Sequence, residues 1–96
     1  MKSVKEIVEL ASAYYGSAVL FAAIDCDVFA RVEKGEFAAD VPRGMRLLLD
    51  ACVAEGLLDK KNGAYYNTPS GKAALIPGGP ADLTRAIRYH RDVYPA

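Results

Sequence analysis

Residues 3–25, SVKEIVELASAYYGSAVLFAAID, decide how this chain is read. Ser3-Val4-Lys5-Glu6 has the form of a capping box, in which the Ser3 hydroxyl accepts from the Glu6 amide and the Glu6 carboxylate reaches back, so a helix starts here. Val4, Ile7, Ala11, Tyr14, Ala18 and Phe21 then follow in steps of three and four, the spacing of a helix-packing seam, and Val8, Tyr15 and Ala22 widen the stripe. Asp25 ends it. A glycine inside a helix costs about 1 kcal/mol, so Gly16 makes the segment either one long helix or two joined at that point.

From Ala18 to Ile24 apolar side chains point in every direction, and such a helix must be covered on more than one side. Ninety-six residues make one small domain, which has little mass with which to wrap a central helix. The helix is either enclosed by its own domain or shared with a second chain. In the second case Val4, Ile7, Ala11, Tyr14, Ala18, Phe21 and Ala22 are the expected dimer interface.

Composition narrows the classes of function. Lys+Arg and Asp+Glu both number 12, so the net charge is 0 and the electrostatic footprint of a general nucleic-acid or anionic-membrane binder is missing. Residues 1–59 carry −4 and residues 60–96 carry +4, a dipolar layout with a basic tail. Hydrophobic residues at 52% and charged residues at 25% fit a packed domain. Cys26 and Cys52 have no second pair and no histidine cluster beside them, so neither a disulfide framework nor a metal site is expected and both read as small buried hydrophobes. The start of the chain lacks a signal-peptide pattern, and the longest apolar run, Ala18–Ile24, is far below the roughly 20 residues that cross a bilayer. The expectation is a cytoplasmic protein with no membrane partner.

Beyond Asp25, Val28, Phe29 and Val32 predict a short helical turn stopped at Lys34-Gly35, with Gly35 as its C-terminal cap. Pro42 fits the first turn of the next helix, with Asp40 near the cap; Met45, Leu48, Leu49, Cys52 and Val53 form its apolar face, while Arg43, Arg46, Asp50 and Glu55 stay wet. Gly56 closes it. Asn62-Gly63 between two strand-like runs signals a β-hairpin. Thr68-Pro69 starts a short helix through Leu75, and Pro77-Gly78-Gly79-Pro80 is a hard break. Ala81 to Tyr94 returns to helical spacing, capped by Pro80 or Asp82, with Leu83, Ile87, His90 and Tyr94 on one stripe and Arg85, Arg88 and Arg91 on another. The predicted fold is mainly α: a winged helix-turn-helix-like domain with a long N-terminal helical segment, one short hairpin as the wing and a C-terminal helix. Its parts are residues 1–34, 36–75 and 81–96 of a single domain spanning 1–96.

Four stretches stand in the order expected of one family: Ala13-Tyr14-Tyr15-Gly16-Ser17-Ala18-Val19-Leu20-Phe21-Ala22-Ala23, Pro42-Arg43-Gly44-Met45-Arg46-Leu47-Leu48-Leu49-Asp50-Ala51, Glu55-Gly56-Leu57-Leu58 and Tyr66-Asn67-Thr68-Pro69-Ser70-Gly71. They resemble the N-terminal dimerisation domain of S-adenosylmethionine-dependent small-molecule O-methyltransferases. The resemblance covers nearly the whole chain. It implies a homodimer whose first helices interlock and help to wall the partner's acceptor pocket. It also implies that the catalytic base and the S-adenosylmethionine site lie in a following Rossmann-like domain, so this chain is expected to be the front part of a longer enzyme, with no catalysis of its own. Asp27 stands where the family usually has a glycine, so a differently shaped junction is expected there. The stretch from Gly35 to Val41 is shorter than the full helix that the family generally places there, and part of the face of the Pro42–Glu55 helix is expected to be exposed.

His90 has no second metal ligand and no Ser or Cys partner at a readable spacing, so it is expected to be a packed, hydrogen-bonded histidine. Tyr14 and Tyr15 are candidates for the wall of a pocket for a flat small-molecule methyl acceptor, against the plainer reading of core or interface packing. Arg43 and Arg46, with Lys60 and Lys61 in the wing, support the alternative of a small winged-helix DNA-binding regulator, but Asp40, Asp50, Glu55 and Asp59 among them repel phosphate. Arg85, Arg88 and Arg91 are expected to pair with acidic residues of another domain or another chain.

Overall fold

The computed structural model describes residues 3–37 and 40–93, apart from the side chain of Ser12. Tyr94, expected on the last helical stripe, lies outside the described residues, as do Ala38 and Ala39. The elements run α1 (Val4–Asp25), α2 (Val28–Glu33), α3 (Arg43–Ala54), β1 (Leu58–Lys61), β2 (Ala64–Asn67), α4 (Pro69–Ala74) and α5 (Thr84–Val93). The architecture is mainly helical with one two-stranded antiparallel hairpin, in the order the sequence predicts.

The local signals act as chemistry requires. Both halves of the capping box form at the start of α1: Glu6 N–H donates to Ser3 Oγ at 3.2 Å and Ser3 N–H donates to Glu6 Oε1 at 3.3 Å. α1 then runs unbroken through Gly16, so the two-helix alternative is excluded. Gly35 and Gly56 take positive φ and close α2 and α3, with the following Glu36 and Leu57 N–H groups bonding back to Arg31 and Cys52 carbonyls. Asn62 (φ 52°) and Gly63 (φ 81°) make a two-residue loop with both φ positive, the geometry that matches strand twist, and Lys61 pairs with Ala64 across it. Thr68 Oγ1 accepts from Gly71 N–H at 3.0 Å, with Pro69 at the first helical position of α4.

Three caps and junctions differ from expectation. Pro42 itself is the N-cap of α3: its carbonyl accepts the Arg46 N–H, and Asp40, at φ 54°, supplies no side-chain cap. α5 begins at Thr84, later than expected, because the Asp82 carboxylate holds a turn ahead of it by accepting from Thr84 N–H, Thr84 Oγ1 and Gly78 N–H at 2.8, 2.6 and 3.0 Å. Asp27 stands in the left-handed region (φ 55°, ψ 36°), the conformation a glycine takes most easily, and so turns α1 into α2. Among the described residues no helix lies between α2 and α3.

The core gathers Val19, Ala23 and Ile24 of α1 with Val28, Phe29 and Val32 of α2, Phe37 of the turn after α2, Leu49 and Cys52 of α3, and Leu58 and Tyr65 of the hairpin. Burial in that core pushes the Cys52 thiol up to about 11, so it stays a neutral hydrophobe. Cys26, by contrast, is exposed, because α1 ends at Asp25 and leaves it in the connecting turn. Asp50 keeps much of its side chain in solvent, as expected, while its Oδ1 accepts from the Tyr65 hydroxyl at 2.5 Å and from Lys60 Nζ at 3.0 Å. The whole is elongated: 47 × 28 × 22 Å, with a radius of gyration of 14.3 Å. A compact chain of this length would have a radius of gyration of about 12.5 Å.

Candidate interaction surface

The elongation comes from α1. At 1.5 Å per residue its 22 residues span about 33 Å, and only its C-terminal half meets the core. Gly16, Val19 and Ala23, three and four residues apart, face inward; Val19 is 7% exposed and Ala23 0%. Gly16 lies so close to α3 that a Cβ there would sit 2.8 Å from Glu55 Oε2.

Val4, Ile7, Ala11, Tyr14, Ala18 and Ala22 fall on the opposite face, and all six are exposed. Val4 is 79% exposed and Tyr14 60%; Val8, Leu10 and Tyr15 flank them, Tyr15 at 56%. Phe21 is half-buried at the edge of this face. Leu10 lies off the main seam, and its i, i+4 relation to Tyr14 is the sequence signal that joins it to this face. A continuous apolar strip the length of a helix is larger than the scattered single hydrophobes that a monomer surface normally carries.

Among the described residues α1 is also the one helix long and apolar enough to cross a membrane, with 18% of its most apolar stretch buried within the fold. The uninterrupted apolar run counted in the sequence understated this, because Glu9 and the small polar residues interrupt the run without making the helix polar.

The other sequence candidates are distributed elsewhere. Arg46 Nη2 donates to the Val41 carbonyl at 3.2 Å, and Lys60 is engaged by Asp50, whose carboxyl is held below its usual range first by the Tyr65 hydroxyl and then by Lys60. Two of the four cations of the DNA-reading alternative thus serve the fold. His90 is exposed on α5 and not packed, because the buried side of that helix is formed by Thr84, with Ile87 and Arg91 half-buried beside it. Arg88 and Arg91 find partners within their own chain: Arg88 Nη2 donates to the Ile24 carbonyl at 3.3 Å, and Arg91 pairs with Asp25.

Clefts are shallow and small. One of about 350 Å³ is lined by Val32, Glu33, Phe37, Tyr65, Tyr66 and Asn67, and another of about 230 Å³ lies between Phe37, Arg46 and Lys60. In the strand-to-helix turn Asn67-Thr68-Pro69, Pro69 has no N–H and the Gly71 N–H is taken by Thr68 Oγ1.

Residues 8–76 match the family model described as the O-methyltransferase dimerisation domain, and the chain belongs to that family. It is 34% identical over 92 residues to acetylserotonin O-methyltransferase of Rattus norvegicus, covering 86% of this chain and 21% of that protein. It is 38% identical over 79 residues to the tetracenomycin polyketide synthesis 8-O-methyl transferase TcmO of Streptomyces glaucescens, covering 73% of this chain and 23% of that one. Among solved structures, PigF with SAH superposes on 98% of this chain and 30% of its own, with a TM-score of 0.79 at 25% identity. An O-methyltransferase family protein from Burkholderia thailandensis has the same fold, with a TM-score of 0.72 over 99% of this chain and 32% of its own. The chain thus spans about a fifth to a quarter of the length of the curated relatives it matches.

Proposed function

We propose that this dimerisation domain pairs with a second copy of itself through the outer face of α1, and that the pair forms the subunit contact of an O-methyltransferase acting on a small molecule. The observation that carries the reading is the direction of the seam: Val4, Ile7, Ala11, Tyr14, Ala18 and Ala22 turn away from the chain's own core and stay exposed. A helix that buries one face at home and presents an equally apolar second face is built to be covered twice. A like helix is favoured over a bilayer as the second cover because Lys5, Glu6 and Glu9 place three charges within the first two turns.

In this reading Tyr14 and Tyr15 lie where a partner subunit closes over them and form part of the wall of a pocket for a flat acceptor. The relatives' names include acetylserotonin and 3-hydroxy-5-methyl-1-naphthoate as acceptors, flat aromatic compounds in both cases. S-adenosylmethionine supplies the methyl group in the whole enzyme and is held by residues outside this chain; the SAH in the PigF structure supports that source. The chain itself contributes shape and assembly, not a base or a methyl donor, and we place the enzyme in the cytoplasm with no nucleic-acid partner. The division into residues 1–34 for dimerisation, 36–75 for the winged-helix-like body and 81–96 for a linker helix belongs to the same proposal.

Ala11→Glu with Ala18→Glu tests it. Glutamate is a good helix former and both positions are exposed, so the fold should persist while four like charges meet at a paired interface. A folded monomer by circular dichroism and light scattering is the expected outcome; an unaltered dimer would place the contact elsewhere.

A further inference from the structure

α5 is attached to the rest of the chain in an uneven way. The segment leading into it is pinned: Ala81 N–H and Leu83 N–H donate to the Ala73 and Ala74 carbonyls at 3.0 and 2.8 Å, and the Asp82 carboxylate organises the turn before Thr84. The remainder has little apolar contact. Thr84 is buried and Ile87 half-buried, whereas Tyr89 and Val93 face solvent. Over its ten described residues α5 therefore leans on whatever seats its far end.

That seat is the carbonyl end of α1. The last turn of α1 carries no basic side chain of its own, although this is the negative end of its dipole. Two cations arrive instead from 64 and 66 positions later in the chain: Arg88 donates to the Ile24 carbonyl, and the Arg91 guanidinium pairs with Asp25 while its Nε bonds to Asp92 at 3.0 Å. We infer that α5 is an ionic latch: Arg88 and Arg91, and not apolar burial, hold it on the end of α1, and screening those charges lets the helix open about a hinge at Thr84 without unfolding the core.

The consequence is a change in direction. With the latch closed, α5 leaves the domain at an angle fixed by the end of α1; with it open, everything beyond Thr84 swivels relative to α1. Exposed ion pairs weaken as the Debye length contracts from about 10 Å at 0.1 M salt to about 3 Å at 1 M, whereas the packed core does not feel this change.

Hydrogen exchange of the 96-residue chain, read by residue at low salt and at about 0.5 M sodium chloride, tests the latch. The expected result is about a fivefold loss of protection in residues 88–93 at high salt with α3 and the hairpin unchanged, and a Arg88→Ala, Arg91→Ala double variant that exchanges fast at both salts. Protection of 88–93 that ignores salt, or that survives in the double variant, overturns the latch. Equal loss in α3 and the hairpin overturns it too, since α5 would then open only with the whole domain.

Discussion

The Glu55 carboxylate lies against Gly16, with Oε2 2.8 Å from where a Cβ on that glycine would stand. It lies on the side of α1 that Val19 and Ala23 turn into the core, opposite the exposed seam. It also gives a stability test, because the obstruction is the tip of a flexible side chain. Gly16→Ala should displace the carboxylate and gain up to about 1 kcal/mol from helix propensity, read as a raised urea midpoint. A loss of more than 1 kcal/mol would mean the α1–α3 approach is closer than a moving carboxylate can relieve.

Gly79 should respond in the opposite sense. A Cβ there would stand 2.8 Å from the Ala73 carbonyl oxygen and 3.1 Å from that of Ile76, and backbone cannot swing aside. Gly79→Ala is expected to cost about 1–3 kcal/mol by the same denaturation measurement, as overpacking does.

Asp27 holds a positive φ of 55° with no side-chain cap bond to α2. An L-residue with a Cβ is strained in that region and glycine is not, so Asp27→Gly should stabilise the chain by about 0.5–1 kcal/mol after glycine's own entropic cost. Thermal unfolding checks this; a lowered midpoint would show that the aspartate contributes something the turn geometry does not display.

Acid stability should depend on Asp82 and Asp50. The Asp82 carboxyl is lowered to about 2, first by the Thr84 hydroxyl and then by the Gly78 and Thr84 amides. A folded pKa below the unfolded one means that the stabilisation is complete above about pH 4 and disappears as pH falls toward 2. Asp50 shifts in the same direction, chiefly through the Tyr65 hydroxyl. Asp82→Asn should flatten the stability profile between pH 4 and 2, and Tyr65→Phe should raise the Asp50 carboxyl pKa in an NMR titration. A profile as steep in the Asp82 variant as in the parent would assign the acid sensitivity to other carboxylates.

Features written within a few residues were legible in the sequence. The Ser3–Glu6 box, the Gly35 and Gly56 stops, the Asn62-Gly63 turn and the Thr68-Pro69 start each follow from backbone geometry and one or two hydrogen bonds, and each forms as read. The seam of α1 was legible for the same reason, since its period is local. What could not be read was which distant groups meet. The three arginines of α5 were visible as a stripe, but that two of them close on Ile24 and Asp25 depends on the path of sixty intervening residues. Asp50 reads as solvated and is, but its partners Tyr65 and Lys60 come from the hairpin; Cys26 reads as buried, yet α1 ends one residue before it and leaves it exposed. His90 followed the apolar period of its helix, but α5 is shallowly seated and leaves that position in solvent.

The central claim is that the outer face of α1 is covered by a second copy of the chain. Sedimentation equilibrium of the unmodified 96-residue protein across the micromolar range measures it most directly. A mass of twice 10.3 kDa, falling to a single chain on dilution or in the Ala11→Glu, Ala18→Glu variant, is the predicted result. A folded parent chain that sediments at 10.3 kDa at every concentration in that range, with the α1 face still in water, would contradict it.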